Sequence, residues 1–166
     1  MFQPNPLISA LAALFPLVLG MIWYNPKVFG KPWMAAAGLT QETAMKDFNM
    51  PLVFGLNYVA SFFIAITLHF VTIHQFGLQS LIMPEKGKRV ADPNGIGMQA
   101  LELYQHSFRS FHHGVLHGTI FGVFLVLPLM TGGALFERRG WKYILINAGY
   151  WIICCAVMGG IVCRFS

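Results

Sequence analysis

Four long apolar stretches without a single charged residue dominate this sequence. They cover about residues 6–24, 51–76, 111–136 and 143–163, and none of them contains Asp, Glu, Lys or Arg. An α-helix needs about 20 predominantly apolar residues to cross the hydrocarbon core of a bilayer. Only 10% of all residues are charged, against roughly 25% in soluble domains. The sequence therefore predicts an all-α integral membrane protein, a bundle of four transmembrane helices.

The connections between these stretches leave little mass outside the membrane. A length of 166 residues suits one domain, so residues 1–166 are expected to form a single transmembrane domain. The longest connection, about residues 77–110, is polar, and Asp92-Pro93 within it is typical of a helix N-terminus. Apolar residues recur at helical spacing from Met98 onwards. This spacing predicts that the third helix begins well before the membrane.

Aromatic and basic residues flank the apolar stretches. Amphipathic rings at the ends of spans are typical of the membrane–water interface, and the predicted anchors are Trp23, Tyr24, Trp33 and Trp141. The net charge of +5 comes from 11 Lys and Arg, all of which lie outside the stretches. Such residues set topology and contact lipid headgroups. We therefore expect membrane lipids as partners and no nucleic acid.

Small residues recur every four positions in the third and fourth stretches. Close backbone approach is a main cause of helix association in lipid. The predicted packing residues are Gly114, Gly118, Gly122, Cys155 and Gly159. This pattern predicts tight helix contact, either within the chain or between subunits. The three cysteines all lie in the last stretch and are interpreted as small packing residues.

Histidines and asparagines are the polar groups that carry possible chemistry. His113 and His117 are four residues apart, so their rings lie on one helix face and can chelate a metal ion. His112 adjoins them, and His69 in the second stretch is a possible third ligand if the two helices pack at the right depth. A further histidine, His74, lies near the end of that stretch. Ionisable residues inside a span suggest function, whereas the structural alternative is hydrogen bonding to carbonyls, headgroups or amides.

Asn57 and Asn147 are further polar candidates within the stretches. They either hydrogen-bond across a helix contact or line a polar cavity. Together, the candidate polar, metal or proton site comprises His69, His112, His113, His117, Asn57 and Asn147. The sequence identifies no catalytic residue and leaves the metal and any cofactor unknown, since the phosphate-binding loop, the nucleophile elbow and the zinc-protease motif are absent.

Three functions fit these features. The favoured one is a non-enzymatic accessory or structural subunit, in a homo-oligomer or a larger membrane complex. The first alternative is a channel or transporter with a polar path along the second and third helices. The second alternative is a membrane redox, quinone or metal site built on the histidines.

One segment after the first apolar stretch resembles a known family. Residues Trp23 to Met34, with the sequence WYNPKVFGKPWM, are similar to a signature in small bacterial membrane proteins grouped as domain of unknown function 1761. The His117-Gly118 pair and the stretch from Phe136 to Trp151 are also similar. The resemblance covers nearly the whole chain. It implies a four-helix protein of the bacterial inner (cytoplasmic) membrane, and supplies no activity, substrate or catalytic residue.

Overall fold

The computed structural model describes residues 3–45, 48–82 and 94–166, and these residues form helices joined by turns, without a strand. Four helices are long and apolar enough to cross a membrane, which confirms the predicted all-α class with four membrane-spanning helices. We number them spans 1 to 4: Pro6–Trp23, Met50–Thr72, Phe111–Phe136 and Trp141–Phe165. Among the described residues, four shorter helices lie outside the spans, at Gly30–Ala37, Gln41–Met45, Gln75–Ile82 and Ile96–Tyr104.

Span 1 begins with a side-chain cap and contains one interruption. The Asn5 side-chain oxygen accepts hydrogen bonds from the backbone N–H groups of Leu7 and Ile8, at 3.1 and 3.2 Å, and Pro6 occupies the first helical position. The regular helix stops at Ala12 and resumes at Leu14. Pro16 follows one turn later and has no N–H to donate to the Ala12 carbonyl. The missing donor accounts for the interruption.

Span 3 contains a π-helical turn, Gly122–Val126, between its α-helical halves Phe111–Phe121 and Leu127–Phe136. Pro128 is the second residue after this turn. Since proline cannot donate to the preceding turn, the ladder of backbone hydrogen bonds is rearranged there.

Span 4 forms the core, because 61% of its most apolar window is buried, against 11% to 22% for the other three spans. Span 3 packs on it through the predicted glycines. A Cβ atom at Gly114 would overlap the Gly159 carbonyl, and one at Gly118 would overlap the Cys155 carbonyl. At Gly122 it would lie 2.8 Å from the Cα of Ile152. Gly114, Gly118 and Gly122 form one face of span 3, which we call the glycine face. This face therefore packs against a helix of the same chain.

The three cysteines are buried and free. Cys154 belongs to the core cluster with Leu68, Tyr150 and Met158. Cys163 donates through its thiol to the carbonyls of Thr72 and Phe108, at 3.6 and 3.4 Å. They serve as packing residues, as the sequence predicts.

Both chain ends meet the end of span 2 at His69, which is fully buried. Its Nδ1 lies 2.9 Å from the Ala65 carbonyl, so this nitrogen carries the proton. Its Nε2 accepts from the Asn5 N–H at 3.3 Å and from the Ser166 hydroxyl at 2.8 Å. His69 thus joins the start of span 1 to the residue that follows span 4.

The connection between spans 2 and 3 differs from the sequence prediction. Span 2 ends at Thr72 rather than near 76, and Ile73 is extended. The helical spacing after Met98 belongs to the separate helix Ile96–Tyr104, so the prediction of an early start for span 3 is wrong. The chain turns at Phe108, whose φ is +60°, and span 3 starts at Phe111. The predicted cap at Asp92-Pro93 lies outside the described residues.

Three of the four predicted interfacial anchors contact span 4. The indole of Trp23 donates to the Ile146 carbonyl at 3.1 Å. The Tyr24 hydroxyl and the Trp33 indole both donate to the Asn147 side-chain oxygen, at 2.9 and 3.2 Å. Trp141, in contrast, is 65% exposed. The first loop is therefore fixed to the core by hydrogen bonds as well as by any contact with lipid.

Candidate functional site

Three histidines come together where span 2 ends and span 3 begins. The ring-nitrogen atoms of His74, His113 and His117 that could bind a metal ion all lie within 4.8 Å of one another. The Nε2 atoms of His74 and His113 are 3.0 Å apart. The His74 ring centroid lies 4.9 Å from the centroids of both other rings. We call these three residues the histidine cluster.

The packing of span 3 against span 4 orients two members of the cluster. Gly114 and Gly118 face span 4 at van der Waals contact, and each directly follows a cluster histidine. Successive residues on a helix point about 100° apart, so His113 and His117 lie on the neighbouring face, with ring centroids 4.4 Å apart. The Ser110 hydroxyl caps the helix by accepting from the His113 N–H at 3.2 Å.

The end of span 2 places His74 opposite this pair. The extended residue Ile73 carries the chain away from the helix, and His74 then starts the next turn, accepting at its carbonyl from Gly77 at 3.0 Å. The side-chain amide of buried Gln75 donates to the carbonyls of Tyr104 and Ser107, at 2.8 Å each. These bonds tie the end of span 2 to the segment that leads into span 3. His74 is therefore held at the depth of the first turns of span 3.

An aromatic side chain covers part of the cluster. The Phe108 ring centroid lies 5.2 Å from that of His113 and 6.3 Å from that of His74. Phe108 adopts a left-handed backbone conformation, which costs a non-glycine residue roughly 1–2 kcal/mol. The surrounding contacts must offset that cost.

The cluster has the chemistry of a transition-metal site. Neutral imidazoles suit Zn²⁺, Cu²⁺ and Ni²⁺, whereas Mg²⁺ and Ca²⁺ prefer oxygen ligands. Bonds of about 2.0–2.1 Å at tetrahedral angles place ligand nitrogens about 3.3 Å apart. The 3.0 Å pair is close to that separation, and the third nitrogen lies within reach of a side-chain rotation. His74 is exposed and the other two are half-buried, so an ion can enter from one side and keep an open position.

The structure divides the residues singled out from the sequence into separate groups. His113 and His117 belong to the histidine cluster. His69 does not, because hydrogen bonds engage both of its ring nitrogens. His112 is exposed beside Phe111 and is not among the clustered ligands. The third member of the cluster is His74. The sequence signal for His74 was its position just after the end of span 2. Neighbouring antiparallel helices bring the end of span 2 close to the start of span 3.

The two asparagines lie at the opposite end of the bundle. Asn147 accepts from Tyr24 and Trp33 and donates to the Tyr143 carbonyl at 2.7 Å, so it serves a helix contact. Asn57 is half-buried and lines a cavity near the first loop. Asn57 and His69 are separated by 12 residues of one helix, about 18 Å along its axis. The candidate residues therefore lie near the two ends of the bundle and do not form one continuous line along span 2.

Comparison with known proteins identifies the family. The family described as "Protein of unknown function (DUF1761)" matches residues 7–163. The chain belongs to the DUF1761 family. The match confirms the resemblance seen in the sequence and includes all three members of the histidine cluster, while the family description assigns no activity. No curated protein and no solved structure matches the chain.

Proposed function

We propose that this DUF1761 protein is a membrane-bound binder of a divalent transition-metal ion. The observation that carries the proposal is the convergence of three imidazole nitrogens from two helices within 4.8 Å. His74, His113 and His117 would supply three ligands, and a water or an exchangeable ligand would take the open fourth position.

The histidine cluster makes better chemical sense with an ion than without one. Of two neutral imidazoles, one ring can donate its N–H to the free nitrogen of the other, as the 3.0 Å contact of His74 and His113 permits. The nitrogen of the third ring lies within the same 4.8 Å, and the group contains no carboxylate. An ion would accept the lone pairs of all three rings at once. The absence of a charged ligand favours a borderline or soft ion over Mg²⁺ or Ca²⁺.

We place this metal-binding chain in the inner membrane of a bacterium, as a non-enzymatic accessory subunit. More than half of its residues lie in the four spans, which favours that role over an independent enzyme. The glycine face gives no support for a subunit contact, because span 4 already occupies it. A homo-oligomer or a larger complex would have to use the lipid-facing sides of the other spans.

Transport along spans 2 and 3 has weaker support. The proposed path combined Asn57, His69 and the histidines of span 3. His69 is fully buried and tethers the chain ends, and Asn57 lies near the opposite end of span 2. A metal site at one end requires no such path.

Metal binding is tested by calorimetric titration of chelator-treated protein with Zn²⁺ in detergent or nanodiscs. We expect one equivalent to bind, and His117→Ala to weaken binding at least about tenfold, equal to 1.4 kcal/mol or more. His112→Ala is the matched control, because His112 lies on the same helix and outside the cluster. Equal affinities in the wild type and both variants would rule out the proposed site.

A further inference from the structure

A second site lies at the other end of the bundle, where spans 1, 2 and 4 enclose a cavity of about 580 Å³. The short helices Gly30–Ala37 and Gln41–Met45, together with Pro26 and Phe48, contribute the rest of its wall. We call it the aromatic cleft. Its volume lies within the range of about 300–1,000 Å³ typical of small-molecule sites. We propose that it binds an uncharged, planar aromatic molecule that enters from the bilayer.

Aromatic side chains make up a third of the residues that line the cleft. Six of them contribute: Tyr24, Trp33, Phe48, Phe54, Tyr150 and Trp151. Neighbouring rings already interact, with centroids 5.3 Å apart for Tyr24 and Trp33, and 5.2 Å for Tyr150 and Trp151. Aromatic faces and edges interact favourably with a further ring at such distances. The lining therefore favours a flat aromatic body over a flexible alkyl chain.

The polar groups of the cleft are neutral. They are the amides of Gln41, Asn57 and Asn147, the hydroxyls of the tyrosines and the indole N–H groups of the tryptophans. No Asp, Glu, Lys, Arg or His is among the described residues that line it. Phosphate headgroups are typically recognised by Arg or Lys, so a phospholipid headgroup finds no counter-charge here. An uncharged carbonyl or hydroxyl substituent suits the amides.

Hydrogen bonds hold part of the wall around these groups in place. The Asn147 oxygen accepts from Tyr24 and Trp33, and the Tyr150 hydroxyl donates to the Pro16 carbonyl at 2.7 Å. These bonds fix the rings before a ligand binds, which reduces the entropy cost of binding. Asn57 of span 2 is half-buried and also lines the cleft, where its amide can donate to a carbonyl of a ligand or accept from a hydroxyl.

The cleft is open at the depth of the spans. Met21 of span 1 is 60% exposed, and Met50 and Val53 of span 2 are 47% and 41% exposed, although all three line the cleft. Residues exposed within apolar spans face the hydrocarbon, so a lipid-soluble molecule can reach the cleft sideways. The two unbranched methionines can adjust their shape around it. The histidine cluster is at the opposite end, so this site is independent of the metal proposal.

The test uses menadione, an uncharged naphthoquinone, as a probe of protein in nanodiscs. Trp33 and Trp151 line the cleft, so binding should quench tryptophan fluorescence to a saturable extent after inner-filter correction. Val53→Phe places a ring in the cleft and should weaken the saturable quenching at least about tenfold. Val59→Phe is the matched control on the same helix, exposed at 49% and outside the cleft.

The possible outcomes separate the proposal from its alternatives. Saturable quenching that Val53→Phe loses and Val59→Phe keeps would support the aromatic cleft. Linear quenching of equal slope in all three proteins would mean partition into the bilayer only and would overturn the proposal. A co-purified phospholipid seen by native mass spectrometry and not displaced by menadione would also overturn it. Thermal melts of both variants exclude misfolding as the cause of lost quenching.

Discussion

The Nε2 atoms of His74 and His113 lie 3.0 Å apart although 39 residues separate them in the chain. His74 follows span 2 and His113 lies in the first turn of span 3, so the contact fixes the relative depth of two spans. His117 completes the cluster one helical turn later. The first prediction follows from this arrangement.

His74→Ala is expected to weaken Zn²⁺ binding as much as His117→Ala does, at least about tenfold, because each residue would supply one of the three proposed ligands. His69→Ala is expected to leave the metal affinity unchanged, because both of its ring nitrogens are engaged elsewhere. Competition with a chromogenic zinc chelator measures all three affinities. A loss in His69→Ala comparable to that in His74→Ala, in protein that its thermal melt shows to be folded, would show that the wrong histidines have been assigned.

Zn²⁺ binding is expected to weaken on acidification. A bound imidazole must be neutral, so protons and the metal ion compete for the same nitrogen atoms. Because all three imidazoles must be neutral to bind the ion, the affinity depends more steeply on pH than it would with one imidazole ligand. Titrations at a series of pH values measure it, and an affinity that does not change between neutral and acidic pH would contradict binding by imidazole.

His69→Ala should instead destabilise the fold. The substitution leaves the buried Ala65 carbonyl, Asn5 N–H and Ser166 hydroxyl without their His69 partner. Each lost hydrogen bond costs about 0.5–1.5 kcal/mol net. Reversible unfolding in mixed detergent micelles measures the free energy of unfolding. A change near zero would mean that the tether between the chain ends contributes nothing.

Gly118→Ala should lower the free energy of unfolding by about 1–3 kcal/mol, the usual cost of overpacking. The added methyl group would overlap the Cys155 carbonyl and push span 3 away from span 4. Gly132→Ala is the matched control in the same span, since a Cβ atom there meets nothing within 4 Å. Equal effects of the two substitutions would contradict the packing of span 3 on span 4.

Asn147→Leu should loosen the first loop, because it removes the acceptor shared by Tyr24 and Trp33. Both donors lie on the loop side of span 1, and Trp33 belongs to the helix Gly30–Ala37. We expect faster amide hydrogen exchange over residues 30–37 and unchanged exchange over span 3. Unchanged exchange in the helix Gly30–Ala37 would show that Asn147 does not hold it.

Hydropathy alone was enough to predict the four spans, because a bilayer requires long uncharged helices. The glycine face of span 3 was also predictable, since close packing in lipid selects small residues. The partner of that face was not, and it proved to be span 4 of the same chain.

The third member of the histidine cluster was harder to predict. Hydropathy extends span 2 to Phe76, because Ile73 and Phe76 are apolar, whereas the helix ends at Thr72 and Ile73 is extended. That early end, and the bonds of Gln75 to Tyr104 and Ser107, depend on tertiary contacts. They decide that His74 rather than His69 meets the pair in span 3.

The most direct test of the metal proposal is X-ray absorption spectroscopy of the Zn²⁺-loaded protein. The arrangement predicts three histidine imidazoles bound through nitrogen at about 2.0–2.1 Å, and two in His74→Ala. A spectrum dominated by sulfur at about 2.3 Å, or one that His74→Ala leaves unchanged, would contradict the histidine cluster as the metal site.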